Sequence, residues 1–385
     1  LPGDGLGFTV LAGDLNDDGK DDVLVGAPGV TAGFDPRSDQ GRVYVFYGGK
    51  DIEKKSQLDL ASDVYDFTVT GAEGFSRLGD AIALGDVNGD GKMDLVAGAP
   101  FAGRAVGSPP GSARTTLGEV YVVFGGVDLF GELNIAATAP DVLLSGGEAF
   151  GQFGSAVAVA DVNGDGVDDI AVSAHRSSGQ TAQGGAVYVF FGRDDIGGRI
   201  TVENGEQDVT ILAPAASASF GFPLVSGDFN GDGTADLAAG ARTEGRGDTL
   251  TAGAVRIIFG GKDIGGERDL SSEAADVTIP GPDAGLLMPS ALAAADVDGD
   301  RASDLVIGSM LAAGPESRLG AGAVYVVRGG EALPPEIKLP DASASTVFGA
   351  AADDRLGNAL AAGKASEDSM GLLIVAPGVD PDSER

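Results

Sequence analysis

The chain of 385 residues has no cysteine, no tryptophan and one histidine, His175. Without cysteine there is neither a disulfide framework nor a thiolate metal site. No apolar run approaches the roughly 18 residues that a membrane-spanning helix needs. Basic residues are few: 25 Lys and Arg stand against 58 Asp and Glu, for a net charge of −33. That balance excludes nucleic acid and anionic membrane surfaces as partners, because both call for clustered positive charge. Leu1-Pro2-Gly3-Asp4 lacks the basic start and apolar run of a signal peptide, as expected of a mature or trimmed form. Catalytic signals are also missing. No serine motif of the nucleophile-elbow kind surrounds His175, and no acid is marked as sitting in the apolar pocket that paired-carboxylate glycosidase chemistry needs. The chain is expected not to be an enzyme.

What the chain has is acid in a fixed pattern. A nine-residue string occurs five times: Asp14 to Asp22, Asp86 to Asp94, Asp161 to Asp169, Asp228 to Asp236 and Asp296 to Asp304. Position 1 is Asp14, Asp86, Asp161, Asp228 or Asp296. Position 3 is Asn16, Asn88, Asn163, Asn230 or Asp298. Position 5 is Asp18, Asp90, Asp165, Asp232 or Asp300, and position 9 is Asp22, Asp94, Asp169, Asp236 or Asp304. Six to eight oxygens at about 2.3–2.6 Å suit Ca²⁺, and such a loop offers most of them. Position 7, held by Lys20, Lys92, Val167, Thr234 and Ala302, adds a backbone carbonyl. Glycine at position 6 permits the left-handed turn that closes the loop. An EF-hand is disfavoured, because the twelfth position holds Val25, Ala97, Val172 and Ala239 rather than glutamate. Mg²⁺ seldom takes an all-protein cage, so calcium is the expected ion. It is expected to clamp the fold rather than to regulate it. Calcium at extracellular levels fills such loops, which points to a secreted or surface location.

The loops recur at spacings of 72, 75, 67 and 68 residues, with a degenerate sixth copy 68 later at Lys364. Each period carries four short runs rich in Val, Ile, Tyr and Phe, bounded by Gly, Pro and Asp, the pattern of strands. One precedes the loop (Leu78 to Leu84, Phe153 to Val159) and one follows it (Leu95 to Pro100). A third starts at Gly41, Gly118, Gly185, Gly253 and Gly322, and a fourth at Asp66, Asp141, Asp208 and Asp276. Four strands per unit, repeated radially, describe an all-β fold of the β-propeller kind, in one domain over residues 1–385. The units cover approximately 6–71, 78–146, 153–213, 220–281, 288–349 and 356–379.

The order Phe-Gly, small-apolar strand, acidic loop, apolar strand, Gly-Ala-Pro resembles the FG-GAP repeat of integrin α-subunit head propellers. Phe153-Gly154, Phe220-Gly221, Gly26-Ala27-Pro28 and Gly98-Ala99-Pro100 carry the two ends of that pattern. The resemblance implies that the acidic loop joins strands 1 and 2 at the lower face of the propeller. It also implies that ligands meet the upper face, built by the 2–3 and 4–1 connections. It further implies a calcium-stabilised adhesion or protein-recognition head, one part of a larger surface protein, with a protein or glycan partner. A lectin-like propeller and the propeller domain of a secreted hydrolase or lyase are the alternatives. Family heads have seven blades, whereas this chain shows six first strands, so six blades with a thin last one are expected, or seven if further residues complete the ring.

Two units depart from the pattern. Unit five has Arg301 in place of the position-6 glycine and Met288-Pro289 in place of Phe-Gly, so its loop is expected to bind more weakly. Unit six has Lys364, Ser366 and Asp368 at positions 1, 3 and 5, and calcium is not expected there. Arg246-Gly247-Asp248, in the 2–3 connection of unit four, spells the tripeptide integrins recognise and is a possible adhesion loop, with chance as the plain alternative. Phe101 to Leu117 is the longest 2–3 connection, a binding loop or a tolerated insertion.

Overall fold

A computed structural model describes residues 4–30, 39–49, 65–103, 116–178, 182–245, 251–283, 285–366 and 369–378, with the backbone alone at 364–366, 369 and 370. Arg246-Gly247-Asp248, Asp368 and residues 104–115 of the longest 2–3 connection lie outside the described residues. Among the described residues no helix is long and apolar enough to cross a membrane. The chain divides into two compact units. One is Leu1–Asp161, Gly166–Ser177 and Val187–Thr210; the other is Val162–Asp165, Ser178–Ala186 and Ile211–Arg385.

In the first unit, Thr9–Gly13, Asp22–Ala27, Arg42–Phe46 and Phe67–Thr70 form an antiparallel sheet in sequence order. Ala81–Gly85, Asp94–Ala99, Glu119–Val123 and Val142–Ser145 form the next. Phe153–Ala160 pairs with Asp169–Ala174 across the third acidic loop. In the second unit, Phe220–Gly227, Asp236–Ala241, Ala254–Ile258 and Val277–Pro280 make one sheet. Ala291–Ala295, Asp304–Ser309, Ala323–Val327 and Ser345–Phe348 make another. The four-strand repeat read from the sequence is thus present as sheets. The second strands of repeats two to five are covered on both faces, as in Asp94–Ala99, where every residue is buried.

Sequence periodicity does not reveal a fifth strand. Gly131–Asn134, from the 3–4 connection of the second repeat, runs parallel to Phe67–Thr70 of the first. Gly198–Thr201 runs parallel to Val142–Ser145 in the same way. Such strands cover an exposed sheet edge. Being four residues long and mostly exposed, Gly-Glu-Leu-Asn carries no alternation to detect. In the fourth sheet this cover shrinks to a bridge between Thr278 and Glu336. Among the described residues unit six shows two strands, Ala359–Ser366 paired antiparallel with Ser369–Val375.

Neighbouring sheets within each unit bury their faces together. Leu24, Val43, Val45 and Phe67 pack with Leu95, Ala97 and Tyr121, and Val255, Ile257 and Val277 with Leu305, Ile307 and Tyr325. Close approach explains the Phe-Gly and Gly-Ala-Pro ends. A Cβ on Gly98 would lie 2.1 Å from the carbonyl oxygen of Gly154, and one on Gly308 would lie 2.2 Å from that of Gly357. The glycine of one motif therefore receives the backbone of the next repeat's other motif.

Candidate metal centres

Each acidic loop joins a first strand to a second, and its carboxylates divide into two groups. The first group shapes the turn. Asp14 accepts the N–H groups of Asp18 and Gly19 at 3.0 and 2.7 Å. Asp86 does the same for Asp90 and Gly91, Asp228 for Asp232 and Gly233, and Asp296 for Asp300 and Arg301. Asp161 accepts from Gly166 at 2.9 Å. Position 3 adds a carbonyl: Asn16, Asn88, Asn163 and Asn230 each accept the N–H of the position-5 aspartate through Oδ1, at 2.8 to 3.1 Å. At position 5, Asp90, Asp232 and Asp300 accept the N–H of Lys92, Thr234 and Ala302. Asp165 accepts from Asn163 Nδ2, and Asp18 pairs with Lys20 Nζ at 3.0 Å.

Position 9 is different. Asp22, Asp94, Asp169, Asp236 and Asp304 are at most 1% exposed. Each accepts the backbone N–H of a glycine just past the third strand: Gly48, Gly125, Gly192, Gly260 and Gly329. The other oxygen of Asp22, Asp94, Asp236 and Asp304 accepts from position 2 of its own loop. The position-9 carboxylate is therefore a pin between loop and third strand as well as a possible metal ligand. The aspartates that open the fourth segments hold the adjoining N–H. Asp66, Asp141, Asp208 and Asp276 accept from Tyr47, Phe124, Phe191 and Phe259 at 2.8 Å. Their place before each fourth strand was a visible signal; their partner was not.

Burial raises Asp94 to about 6 and Asp236 to about 7, the neighbouring aspartates adding to it and the backbone N–H groups opposing it. Asp22 and Asp304 shift upward from the same leading cause. Carboxylates held this way favour a proton or a cation over an empty charge. The donor set fits a hard divalent ion. In the fifth loop, oxygens of Asp296, Asp298 and Asp304 lie within 4.8 Å of one another, close to twice a calcium–oxygen distance of about 2.4 Å.

Two expectations are refined. Position 4 as well as position 6 is left-handed, and the first loop places Asp17 there at φ 59° where the others have glycine, so that loop is strained too. In the fifth loop Arg301 sits at φ 82°, and Arg328 pairs with Asp298 at 3.1 Å. Arg328 replaces the aromatic residue found at Tyr47, Phe124, Phe191 and Phe259, and it offsets the extra carboxylate. His175 Nδ1 lies 2.8 Å from Ser155 Oγ, and a separation of 20 positions hides that pair from sequence reading.

The FG-GAP repeat model matches residues 6–46, 78–123, 153–190, 220–258 and 288–327, together just over half of the chain. The chain belongs to the FG-GAP repeat family. Membership makes its repeating sheets blades of a β-propeller, and FG-GAP repeats typically bind Ca²⁺ in acidic loops like these. Phosphatidylinositol-glycan-specific phospholipase D of Homo sapiens is 34% identical over 245 residues, 62% of this chain and 26% of that protein. Integrin alpha-PS5 of Drosophila melanogaster is 30% identical over 324 residues, 83% of this chain and 27% of that protein. The FG-GAP chain thus spans about a quarter of the length of these relatives. The solved rhamnogalacturonan lyase YesW aligns over 96% of this chain and 74% of its own at 14% identity, and its TM-score of 0.33 carries no argument.

Proposed function

We propose that this FG-GAP chain is a non-enzymatic, calcium-stabilised recognition module that works outside the cell. Its six repeats form one propeller with a thin sixth blade. The repeated loop geometry carries the calcium part: in loops one, two, four and five the first carboxylate folds the turn through the N–H groups of positions 5 and 6. Position 3 in loops one to four supplies an amide oxygen, and position 9 ties the turn to the third strand. The ion would be held by positions 1, 3, 5 and 9 with the position-7 carbonyl, in four loops firmly and in the fifth more weakly. The resemblance to integrin α chains supports adhesion or surface recognition, with a protein or glycan bound by connections at the far ends of the strands.

Metal-stripped protein should melt well below the calcium-loaded form, with calcium restoring the difference over a titration that resolves one weaker site. An unchanged melt, with elemental analysis confirming metal removal, refutes the calcium assignment. Capture of extracellular matrix or cell-surface components by the loaded chain tests recognition. A second reading, the propeller portion of a larger secreted enzyme, draws on the named phospholipase relative. Hydrolase activity in the isolated chain would overturn the non-enzymatic assignment.

A further inference from the structure

The third strands carry tyrosine at one register: Tyr44, Tyr121, Tyr188 and Tyr325, all buried. Unit four places Arg256 there, paired with Ala239 and Thr278 as Tyr325 is with Ile307 and Thr346. Three residues beyond the second strand the other repeats have Val30, Ala102, Ser177 and Ala312, and unit four has Glu244. The two exceptional residues meet. Arg256 Nη2 donates to Glu244 Oε1 at 2.5 Å, and Arg256 is only 8% exposed. A buried ion pair gains little over an apolar pair and is a poor stabiliser in its own right. The replacement therefore asks for another reason.

The pair is joined by one hydrogen bond, which leaves Arg256 Nη1 and Glu244 Oε2 buried and without partners. Both residues line a cavity of about 240 Å³, together with Thr278, Pro280 and Glu336. Buried polar atoms without partners are uncommon and call for a partner, whether water, ion or ligand, and here two of them face one cavity. The polar groups constrain what fits. Nη1 only donates, the carboxylates of Glu244 and Glu336 only accept, and the Thr278 hydroxyl does either. An anionic ligand would face two glutamates, and a cationic one would face the guanidinium. A neutral ring carrying several hydroxyls offers acceptors to Arg256 and donors to the glutamates. The volume is below the roughly 300 Å³ at which drug-sized pockets begin, enough for one such ring.

We propose that this cavity, at the end of the fourth sheet opposite its acidic loop, binds one neutral monosaccharide unit of a glycan. The proposal rests on the recognition function above and supplies its ligand class. Glu244→Ala with Arg256→Tyr restores residues that other repeats carry, so it removes the site without leaving a buried charge. Saturation-transfer NMR and titration with neutral methyl glycosides should show one site per chain, with a dissociation constant on the order of 1 mM. The double variant should bind at least tenfold more weakly, with its melting temperature and calcium titration unchanged. Should it melt lower than the parent, Thr278→Val decides, since it leaves the ion pair in place: binding at least threefold weaker supports the site, and unchanged binding overturns it. No binding by any neutral glycoside at about 50 mM overturns the proposal, as does undiminished binding by the double variant. So does preference for acetamide or for an acidic sugar. A silent glycoside panel with matrix capture intact overturns this site alone; loss of both overturns the recognition function.

Discussion

Gly98 offers the sharpest test of why Phe-Gly and Gly-Ala-Pro occur together. In Gly98→Ala the new Cβ would sit 2.1 Å from Gly154 O, 3.1 Å from its carbonyl carbon and 3.4 Å from its Cα. The nearest of these is more than 1 Å inside van der Waals contact, and it is backbone, so no rotamer change relieves it. Gly154 has little room to yield. It sits at φ 88°, and a Cβ there would itself meet Glu119 O at 2.8 Å. The first strand of one repeat must then move from the second strand of its neighbour. Overpacking of this kind costs about 1–3 kcal/mol, and a backbone clash belongs at the upper end. At roughly 2–4 °C per kcal/mol for a unit of this size, the melting temperature should fall by about 6–12 °C. Gly131→Ala, outside the acidic loops, is the control: nothing lies within 4 Å, and its φ of 76° predicts only the strain of a left-handed alanine, about 1–2 kcal/mol. Thermal and urea denaturation of both variants, calcium-loaded, measure the contrast. If Gly98→Ala melts within about 2 °C of the parent, close packing is not the reason for the motif. Ser173 already occupies the equivalent place in unit three, buried and 3.4 Å from Ser155 Oγ, so the prediction applies to Gly98 and not to every repeat.

Two further predictions concern the ions. Asp94 and Asp236 are raised to about 6 and about 7 by burial, so the metal-free fold retains protons that the unfolded chain releases above about 4. Their contribution to stability is present below pH 4 and is lost as pH rises to about 7. Metal-stripped protein should melt higher at pH 5 than at pH 7.5, and saturating calcium should shrink or invert that order; a higher metal-free melt at pH 7.5 contradicts it. Arg328→Gln should release Asp298 and tighten the weakest calcium site up to about fivefold, the scale of an exposed ion pair. Calorimetric titration checks this, and an unchanged weakest site would show that Arg328 does not compete with the ion.

Much of the fold was legible because repetition turns weak local signals into a register. One Asp-rich turn is ambiguous, but five in phase with four apolar runs are not. What stayed hidden depends on contacts between distant residues. The N–H that Asp66 accepts belongs to Tyr47, 19 residues away, and Asp94 holds Gly125 from 31 away. The parallel edge strand Gly131–Asn134 is added to a sheet begun by the preceding repeat, so its own unit gives no hint of it. Position 4 was readable in principle. Glycine stands there in four of five loops, as it does at position 6.

The two ends of the strands differ in a way that bears on function. At the acidic end the repeats are nearly interchangeable, down to the same pair of N–H groups taken by Asp22 and Asp66, Asp94 and Asp141, Asp169 and Asp208, or Asp236 and Asp276. Sameness of this kind is what a structural clamp requires, because each repeat must close the same turn on the same strand. At the other end the residue in the proline place of Gly-Ala-Pro changes from Pro28 and Pro100 to His175, Arg242 and Met310, and the tyrosine register is broken once, by Arg256. Packing alone would favour tyrosine there too, since four repeats bury it at 9% exposure or less. A charged pair that is half satisfied costs stability relative to that tyrosine, and a ligand that completes its hydrogen bonds would offset the loss.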